Sequence, residues 1–383
     1  MQRIHLDHNA TTPIRPEARA ELVAQLDALR GNPSSVHAAG RAARAMLDRA
    51  RERVAAALCV HEDEVVFTSG GTEALHLAIL GGLFAQSKER GLLTTRVEHS
   101  AGLGAAELVA AAGRPVEFLE VDREARLDLE LASARARDPR VGLISIQAAN
   151  NEVGTLYPIA DIARARRASP AGALFHTDAV QALGRIPVRP RDWDVDLASF
   201  SAHKVGGPLG VGILYKRKGV ALAPVLRGGG QEFGLRPGTE NVPAIAAAAV
   251  AIELAVVEQA DSAQRWRELT TSLWRMLRAS WPEVRINGPS IDANDRLPNT
   301  LDVALPGTDG RTLVARLDLE GLEASAGSAC ASGSLEPSHV LLAMGRSEEE
   351  ARAALRLSLG RTTRGEDVHN AVEILGRIRH ERR

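Results

Sequence analysis

Short apolar runs alternate with amphipathic segments along the first two thirds of this chain, and this alternation constrains the fold more than any other feature. The apolar runs read EVVFT, GLLTT, PVEFLEV, GLISIQ, GALFHTD and DLASFS. Strands that are apolar on both faces, separated by segments of helical period, are typical of a mostly parallel sheet covered by helices on both sides. The sequence therefore predicts an α/β fold whose functional loops gather at the carboxyl ends of the strands.

The alternation stops near residue 240, where a long helical region rich in Ala, Leu and Trp begins. Beyond it, the strands NTLDVAL and ALRLSL and two further helical segments indicate a smaller α+β unit. We place the boundary inside the long helical region. The predicted parts are an N-terminal arm (residues 1–14) that joins the small domain, a large domain (15–257) and a small C-terminal domain (258–383).

Composition excludes several classes of protein. The 47 basic and 48 acidic residues balance, without blocks of like charge, which argues against stable nucleic-acid binding. The N-terminus lacks the apolar core of a secretory signal, and the longest apolar stretch, from Ala244, is too short to cross a bilayer. Two cysteines cannot build a disulfide framework, so we expect a soluble cytoplasmic protein. His5, His8 and His61 are not at metal-ligand spacing, and we expect no intrinsic metal site.

Three polar motifs follow predicted strands directly. The SGGT motif, ending at Thr72, could cradle a phosphate on backbone N–H groups, or it could be a plain capped turn. Asp178 could face a cationic ligand atom or cap a helix. Lys204 could form an imine or be a solvated loop lysine. Pyridoxal phosphate needs a phosphate site, a carboxylate near its ring nitrogen and such a lysine, so together these motifs indicate that cofactor.

Ten motifs, in order from residue 6 to about 363, resemble those of the cysteine desulfurases of the NifS/IscS group. These enzymes belong to the class V aminotransferase family of fold-type I pyridoxal-phosphate enzymes. The motifs are LDHNATTP, GNPSSVH, FTSGGTEA, EHSA, NNEVGT, FHTDAVQALG, SAHKVGGPLGVG, GGGQEFGLRPGTEN, SAGSACASGSLEPSHVLLAMG and LRLSLGRTT. The resemblance implies a fold-type I transferase, pyridoxal 5′-phosphate as cofactor, L-cysteine as substrate and a homodimer.

The resemblance also implies a role for each site residue. Lys204 would bind the cofactor covalently, Asp178 would pair with the pyridinium nitrogen, and Gln181 would donate to the phenolic oxygen. His99 would lie over the ring and could transfer protons. The phosphate contacts would come from Gly71, Thr72, Ser201, His203 and, from the second subunit, Thr239.

Two further residues would bind the substrate carboxylate. These are Asn151 and Arg356, and a guanidinium matches a carboxylate bidentately. Taken singly, each site residue also has an ordinary interpretation: Arg356 as a surface strand residue, His99 as a strand-end histidine, and Gln181 and Asn151 as turn formers.

Cys330 lies in SAGSACASGS, a run of small residues with almost nothing for a core to hold. The resemblance makes it the sulfur acceptor, whose thiolate attacks the substrate sulfur and leaves alanine and an enzyme persulfide. Gly and Ser cost little to rearrange, so such a segment could also present the persulfide to an acceptor. Cys59, in the helix RVAAALCV, is expected to be a small buried hydrophobic residue.

The stretch after Cys330 resembles the long-loop branch of the family. That branch implies sulfur-acceptor proteins such as an iron–sulfur scaffold or a sulfur carrier. Two positions depart from the family pattern: His76 stands where Asn is usual, and Ala324 precedes Ser325 where two adjacent serines are more usual.

Three other functions remain open from the sequence. One is a related class V aminotransferase, or a lyase acting on selenocysteine or cysteine sulfinate. Another is a catalytically silent partner protein of the same fold. The third is a nucleotide-binding module that uses SGGTE, although the lysine and metal ligand of triphosphate chemistry are missing.

Overall fold

A seven-stranded sheet forms the centre of the computed structural model, which describes residues 3–167, 172–327 and 336–380. Its strands lie side by side in the order Val65–Thr68 (β2), Gly212–Lys216 (β8), Leu197–Ser201 (β7), Leu174–Asp178 (β6), Val141–Ser145 (β5), Gly91–Thr95 (β3) and Val116–Leu119 (β4). Neighbours from β4 to β7 are parallel. The predicted α/β fold with a mostly parallel sheet is confirmed.

One strand runs against the others. β8 is antiparallel to both of its neighbours, β7 and β2. The link from β7 to β8 is a single 3₁₀ turn, Ala202–Val205, and a short loop. Such a link is too short for the crossover that a parallel pair requires. This turn carries Lys204 and holds it at the edge of the sheet.

Helices cover both faces of the sheet. They are Pro16–Ala28 (α1), Ala38–Leu58 (α2), Gly71–Phe84 (α3), Ser100–Ala111 (α4), Leu129–Arg135 (α5), Ile159–Arg167 (α6) and Val242–Val257 (α7). Along β2, Val66 packs with the cluster that contains α3, whereas Phe67 packs with the cluster that contains α2 and α7. Successive strand residues point to opposite faces, which is why these strands are apolar throughout.

The C-terminal part has its own apolar cluster and sheet. The helical region predicted from residue 240 is two helices, α7 and Gln259–Ser280 (α8), bent by 68° around Glu258. The other elements are strands Arg285–Asn287 (β9), Thr300–Ala304 (β10), Leu322–Glu323 (β11) and Ala354–Ser358 (β12), and helices Gly310–Leu319 (α9), His339–Ala343 (α10), Glu348–Arg352 (α11) and Gly365–His380 (α12). β12, β10 and β9 form an antiparallel sheet.

The N-terminal arm packs against the apolar cluster of the C-terminal part. Its strand Ile4–His5 (β1) pairs in parallel with β11, and Leu6 is buried among the leucines of β10 and β12. Asp7 forms an isolated bridge with Ser358 at the end of β12. The division of the chain at residues 14 and 257 stays a prediction.

The expected burial of Cys59 is wrong. Cys59 is exposed, and it ends α2 in the left-handed conformation with φ 55°. Its N–H bonds to the carbonyls of Ala55 and Ala56, a common way to satisfy the last turn of a helix. Because the helix stops at Leu58, the buried stripe of α2 ends one residue before the cysteine.

In the three described stretches of chain, no single helix is both long and apolar enough to cross a bilayer. α7 and α8 meet those criteria only when they are joined across their bend. In this structure α7 is almost entirely buried, and it packs against α1 and α2.

Candidate active site

A cavity of about 210 Å³ lies at the carboxyl ends of the parallel strands. Functional loops were predicted at this edge of the sheet. The lining includes ten of the predicted site residues: Gly71, Thr72, His99, Asn151, Asp178, Gln181, Ser201, His203, Lys204 and Arg356. The structure therefore brings together residues from both halves of the chain.

Lys204 is half-buried, unlike a solvated loop lysine. Its Nζ donates hydrogen bonds to the carbonyl oxygens of Asn9 at 2.6 Å and Ala10 at 2.5 Å. The amide of Gln181 donates to the same Asn9 carbonyl at 3.0 Å, and its Oε1 is buried without a partner among the described residues. The N-terminal arm thus forms one wall of the cavity.

Asp178 ends β6 and is 8% exposed. It accepts the N–H of Val180 at 2.9 Å and so closes a local turn; no helix follows β6 in the described chain, so the helix-cap alternative is wrong. Burial raises the pKa of Asp178; interactions with His99, with the N–H of Val180 and with Lys204 lower it by less, so the net shift is upward. A further cation in the cavity would stabilise the ionised carboxylate.

His99 caps the first turn of α4 through its side chain. Its Nδ1 accepts the N–H of Ala101 at 3.1 Å, so in the neutral ring the proton is on Nε2. His76, the residue that departs from the family pattern, donates from Nε2 to the carbonyl of Ala101 at 3.1 Å. It contacts the backbone of α4 and is not among the residues that line the cavity.

Glu98, the residue before His99, is buried beside Gln147, which lines the cavity. It accepts the hydroxyl of Thr95 at 2.8 Å and the N–H of Gln147 at 3.1 Å. Burial raises the pKa of Glu98 to about 8. The carboxyl group of Glu98 therefore holds its proton at neutral pH.

Small or uncharged groups line the cavity near the start of α3. Gly71 begins α3, and a Cβ at this position would lie 3.0 Å from Cγ2 of Val180 and 3.3 Å from Cβ of Ser201. The residue before it, Gly70, has no side chain that could accept a hydrogen bond from the first N–H groups of the helix. The first N–H groups of α3 can therefore serve an anion. Burial and the charge of Lys204 lower the pKa of His203 to about 4, so this ring is neutral at pH 7.

Arg356 is buried, and the surface-strand alternative is wrong. Its side chain is 1% exposed; it donates to a carboxylate oxygen of Asp7 at 2.8 Å and to the carbonyl of Asn151 at 3.1 Å. Its Nε–H has no partner among the described residues. The guanidinium therefore has a buried Nε–H donor that the described residues leave unsatisfied.

The two remaining predicted residues are Thr239 and Cys330. Thr239 is exposed and does not line this cavity in the described chain; its hydroxyl accepts from the amide of Asn32 at 3.4 Å. Cys330 lies outside the described residues.

The described residues on either side of Cys330 contact the site. Before it, Ser325 exchanges backbone hydrogen bonds with Arg356 at 2.7 and 3.2 Å. After it, Nε2 of His339 donates to the carbonyl of Glu98 at 2.9 Å. Described residues on both sides of residues 328–335 thus contact Arg356 and Glu98.

Sequence reasoning assigned no role to several residues of the site. Asp7, Asn9 and Ala10 belong to the motif LDHNATTP, whose polar turn residues were the only available signal. Glu98 and Gln147 follow predicted strands, which is the same signal that identified Asp178.

Comparisons with known proteins agree over nearly the whole chain. Residues 4–370 match the family model described as Aminotransferase class-V. The chain is 42% identical to "Cysteine desulfurase IscS" of Dictyoglomus turgidum over 378 residues, which cover 98% of this chain and 94% of the relative. It is 43% identical to "Cysteine desulfurase" of Cereibacter sphaeroides over 377 residues, which cover 98% of this chain and 95% of the relative.

Solved structures resemble it closely. A "NIFS-LIKE PROTEIN" matches with a TM-score of 0.92 and 36% identity, covering 99% of this chain and all of that one. A structure described as "SspA in complex with cysteine" matches with a TM-score of 0.79 and 32% identity, covering 93% of this chain and 98% of that one.

Proposed function

This chain belongs to the cysteine desulfurases of the class-V aminotransferase family, and from that premise we propose that it binds pyridoxal 5′-phosphate and moves sulfur from L-cysteine to its own Cys330. One observation carries the proposal. Lys204, Asp178 and Arg356 line a single cavity, so an imine-forming amine, a buried carboxylate and a carboxylate-binding guanidinium face the same space.

The residues present fit the cofactor. Asp178 is a buried carboxylate that a protonated pyridine nitrogen would stabilise, and Gln181 has a buried amide oxygen without a partner among the described residues. Gly71 leaves room beside Ser201 that a Cβ would restrict. Lys204 would hold the cofactor, and Thr72, Ser201 and His203 would contact its phosphate, together with Thr239 of the second subunit of a homodimer.

Bound pyridoxal phosphate supplies an electron sink for the bonds of the substrate. Arg356 and Asn151 would hold the carboxylate of L-cysteine and so fix the orientation of its Cα. Nζ of Lys204 would take the proton from Cα. Nε2 of His99, which carries the ring proton while Nδ1 caps α4, would exchange a proton with the substrate.

The sulfur step balances without an external oxidant or reductant. The thiolate of Cys330 attacks the substrate sulfur, so an S–S bond forms and the Cβ–S bond breaks. The electron pair of the broken bond stays with the substrate carbon, which gains a proton and becomes the methyl group of L-alanine. The sulfur remains on the enzyme as a persulfide of Cys330.

Incubation of the loaded enzyme with L-cysteine tests the proposal. We expect L-alanine as product and one added sulfur atom on the peptide that contains Cys330, detected by mass spectrometry. Cys330→Ser should abolish both while the cofactor stays bound. Cys59→Ser is the matched control: Cys59 is exposed and outside the cavity, so both products should persist.

The alternative functions predict different results. An aminotransferase, or a lyase acting on selenocysteine or cysteine sulfinate, would keep its activity in Cys330→Ser. A silent partner protein would lack the yellow absorbance of a lysine-bound cofactor. Retained activity in Cys330→Ser, or a wild-type protein without this absorbance, would contradict the proposal.

We extend the proposal to the cellular role. The persulfide would serve acceptor proteins such as an iron–sulfur scaffold or a sulfur carrier, as the resemblance of the segment after Cys330 to the long-loop branch suggests. The cytoplasm is the proposed location, because a chain with two cysteines suits a reducing compartment.

A further inference from the structure

We propose that a second cavity beside Lys204 binds a small monovalent anion such as chloride, with Arg185 as its principal ligand. This cavity, here called the arginine cavity, has a volume of about 50 Å³, and the residues that line it include His8, Thr12, Arg15, Arg185, Lys204 and Arg361. It is much smaller than the cavity of about 210 Å³ described above, so it suits an ion of about the size of a water molecule. The inference goes beyond the proposed function and does not depend on sulfur transfer.

Arg185 is a buried guanidinium without a counter-charge in the described chain. The residue is 4% exposed, and its Nη1 donates to the carbonyl of Gln181 at 3.0 Å. It takes part in no ion pair among the described residues. Burial and the positive charge of Arg356 lower the pKa of Arg185 to about 10, so the guanidinium is charged at neutral pH. A buried charge is costly without a counter-ion, and a guanidinium has several N–H donors, so this side chain favours a bound anion.

The other ionisable groups around the arginine cavity are basic. Arg15 is 7% exposed and pairs with Glu258 at 2.9 Å, so its charge is balanced. Arg361 is exposed and Lys204 is half-buried. None of the described residues that line this cavity is acidic. The electrostatic potential inside it is therefore positive, which attracts anions and repels cations.

His8 provides a second, independent indication of a ligand. It lines the arginine cavity and is 2% exposed, and its Nε2 has no hydrogen-bond partner among the described residues. Burial and the neighbouring charges of His5, Arg185 and Arg361 lower the pKa of His8 to about 3, so the ring is neutral at pH 7. Its Nδ1 bonds to the hydroxyl of Thr12. When this hydroxyl donates to Nδ1, the ring proton is on Nε2, and an anion would satisfy that buried N–H.

The arginine cavity joins three parts of the chain. His8 belongs to the N-terminal arm, Arg185 to the connection after β6, and Arg361 to the segment after β12. A bound anion would therefore hold the arm, the central sheet and the C-terminal part together. Because the unfolded chain lacks this site, the anion should stabilise the folded protein.

Bromide provides a direct test, because it can replace chloride and scatters X-rays anomalously. Crystals of the cofactor-loaded enzyme soaked in sodium bromide should show an anomalous difference peak in the arginine cavity, within contact distance of Arg185. Arg185→Met keeps a long side chain without the charge and should lose the peak. Arg189→Met is the matched control and should keep it, because Arg189 lies on the same connection, is exposed and does not line the cavity.

The same site should appear in solution as an effect of the anion on stability. Gluconate is too large for the cavity, so its replacement by chloride at constant ionic strength should raise the unfolding temperature of the wild type. We expect a rise of about 2–3 °C, which about a tenfold excess of ligand over its dissociation constant gives in a chain of this size. Arg185→Met should show no rise, and Arg189→Met should show all of it. Arg185→Lys keeps a cation and should retain part of the rise.

The buried charge of Arg185 predicts a further difference between the variants. In gluconate, Arg185→Met should be at least as stable as the wild type, because an apolar side chain replaces an unpaired buried cation. A wild-type cavity that holds only water in the bromide-soaked crystals would overturn the proposal. So would a chloride effect of equal size in Arg185→Met and the wild type. If Arg185→Met does not fold, the presence or absence of the bromide peak in the wild type decides.

Discussion

Lys204 and Gln181 donate to the same acceptor, the carbonyl oxygen of Asn9, at 2.6 and 3.0 Å. The acceptor belongs to the N-terminal arm, whereas both donors belong to turns that follow strands of the central sheet. The arm therefore positions two residues of the site through its backbone, and the packing of the arm matters to the site as much as the sheet does.

Replacing Lys204 should prevent covalent attachment of the cofactor while the chain still folds. Lys204→Ala removes the amine that would bind the cofactor and take the α-proton, so L-alanine production should stop and the yellow absorbance of the lysine-bound cofactor should disappear. Lys218→Ala is the control, because Lys218 is exposed at the far end of β8. Retained absorbance in Lys204→Ala would show that another residue holds the cofactor.

Asp178→Asn should lower the rate of L-alanine formation by ~10²–10³-fold, the range seen when one preorganised electrostatic contact is lost. The amide is nearly isosteric and still accepts from Val180, so the fold should survive. Asp178→Glu keeps the charge and should recover part of the rate. Equal rates for wild type and Asp178→Asn would exclude an ionised carboxylate at this position as part of the mechanism.

Arg356→Gln should weaken L-cysteine binding and also destabilise the fold. Asp7, whose side chain is 18% exposed, would lose its partner, so we expect a cost below the about 3–5 kcal/mol of breaking a fully buried pair. We expect a raised KM in steady-state kinetics and a reduced free energy of unfolding in denaturant titration. Arg352→Gln, an exposed arginine on the neighbouring helix α11, should change neither quantity.

The stability of the protein should depend on pH through Glu98. Its pKa is about 8 in the folded chain against an ordinary value of 4.5. As pH rises between these values, the unfolded chain releases the proton while the folded chain keeps it, so the free energy of unfolding falls. Glu98→Gln has no ionisable carboxyl group at this position, so this fall in the free energy of unfolding is absent from the variant. Its stability relative to the wild type should therefore increase from pH 5 to pH 8, by at most about 1.4 kcal/mol per pH unit.

Urea titrations across this pH range would measure the difference. The control is Glu107→Gln, which removes an exposed carboxyl on α4. It shows how much the free energy of unfolding changes with pH when a carboxyl other than that of Glu98 is removed. If the stability difference between Glu98→Gln and the wild type does not change with pH, the carboxyl group of Glu98 is ionised in the folded chain.

The motifs that follow strands could be predicted because their placement depends on local order. Asp178 is the last residue of β6 and Lys204 lies in the turn after β7, and the carboxyl ends of neighbouring parallel strands meet at one edge. Their joint presence in the cavity follows from the strand pattern. The reversed strand β8 and the early end of α2 before Cys59 were not predicted, since a short connection and a left-handed cap leave weak sequence signals.

The sequence by itself determined the alternation of strands and helices, the position of the strand-end motifs and the family that they resemble. Only the tertiary structure decided that Asp7 meets Arg356 and Ser325, and that the arm carbonyls face Lys204. Residues more than 300 positions apart, as Asp7 and Arg356 are, come together because apolar side chains of the arm and of β12 bury each other, and no local periodicity encodes that contact. The altered pKa values of Glu98, Asp178 and His203 likewise arise from burial and from neighbouring charges, which exist only in the folded chain.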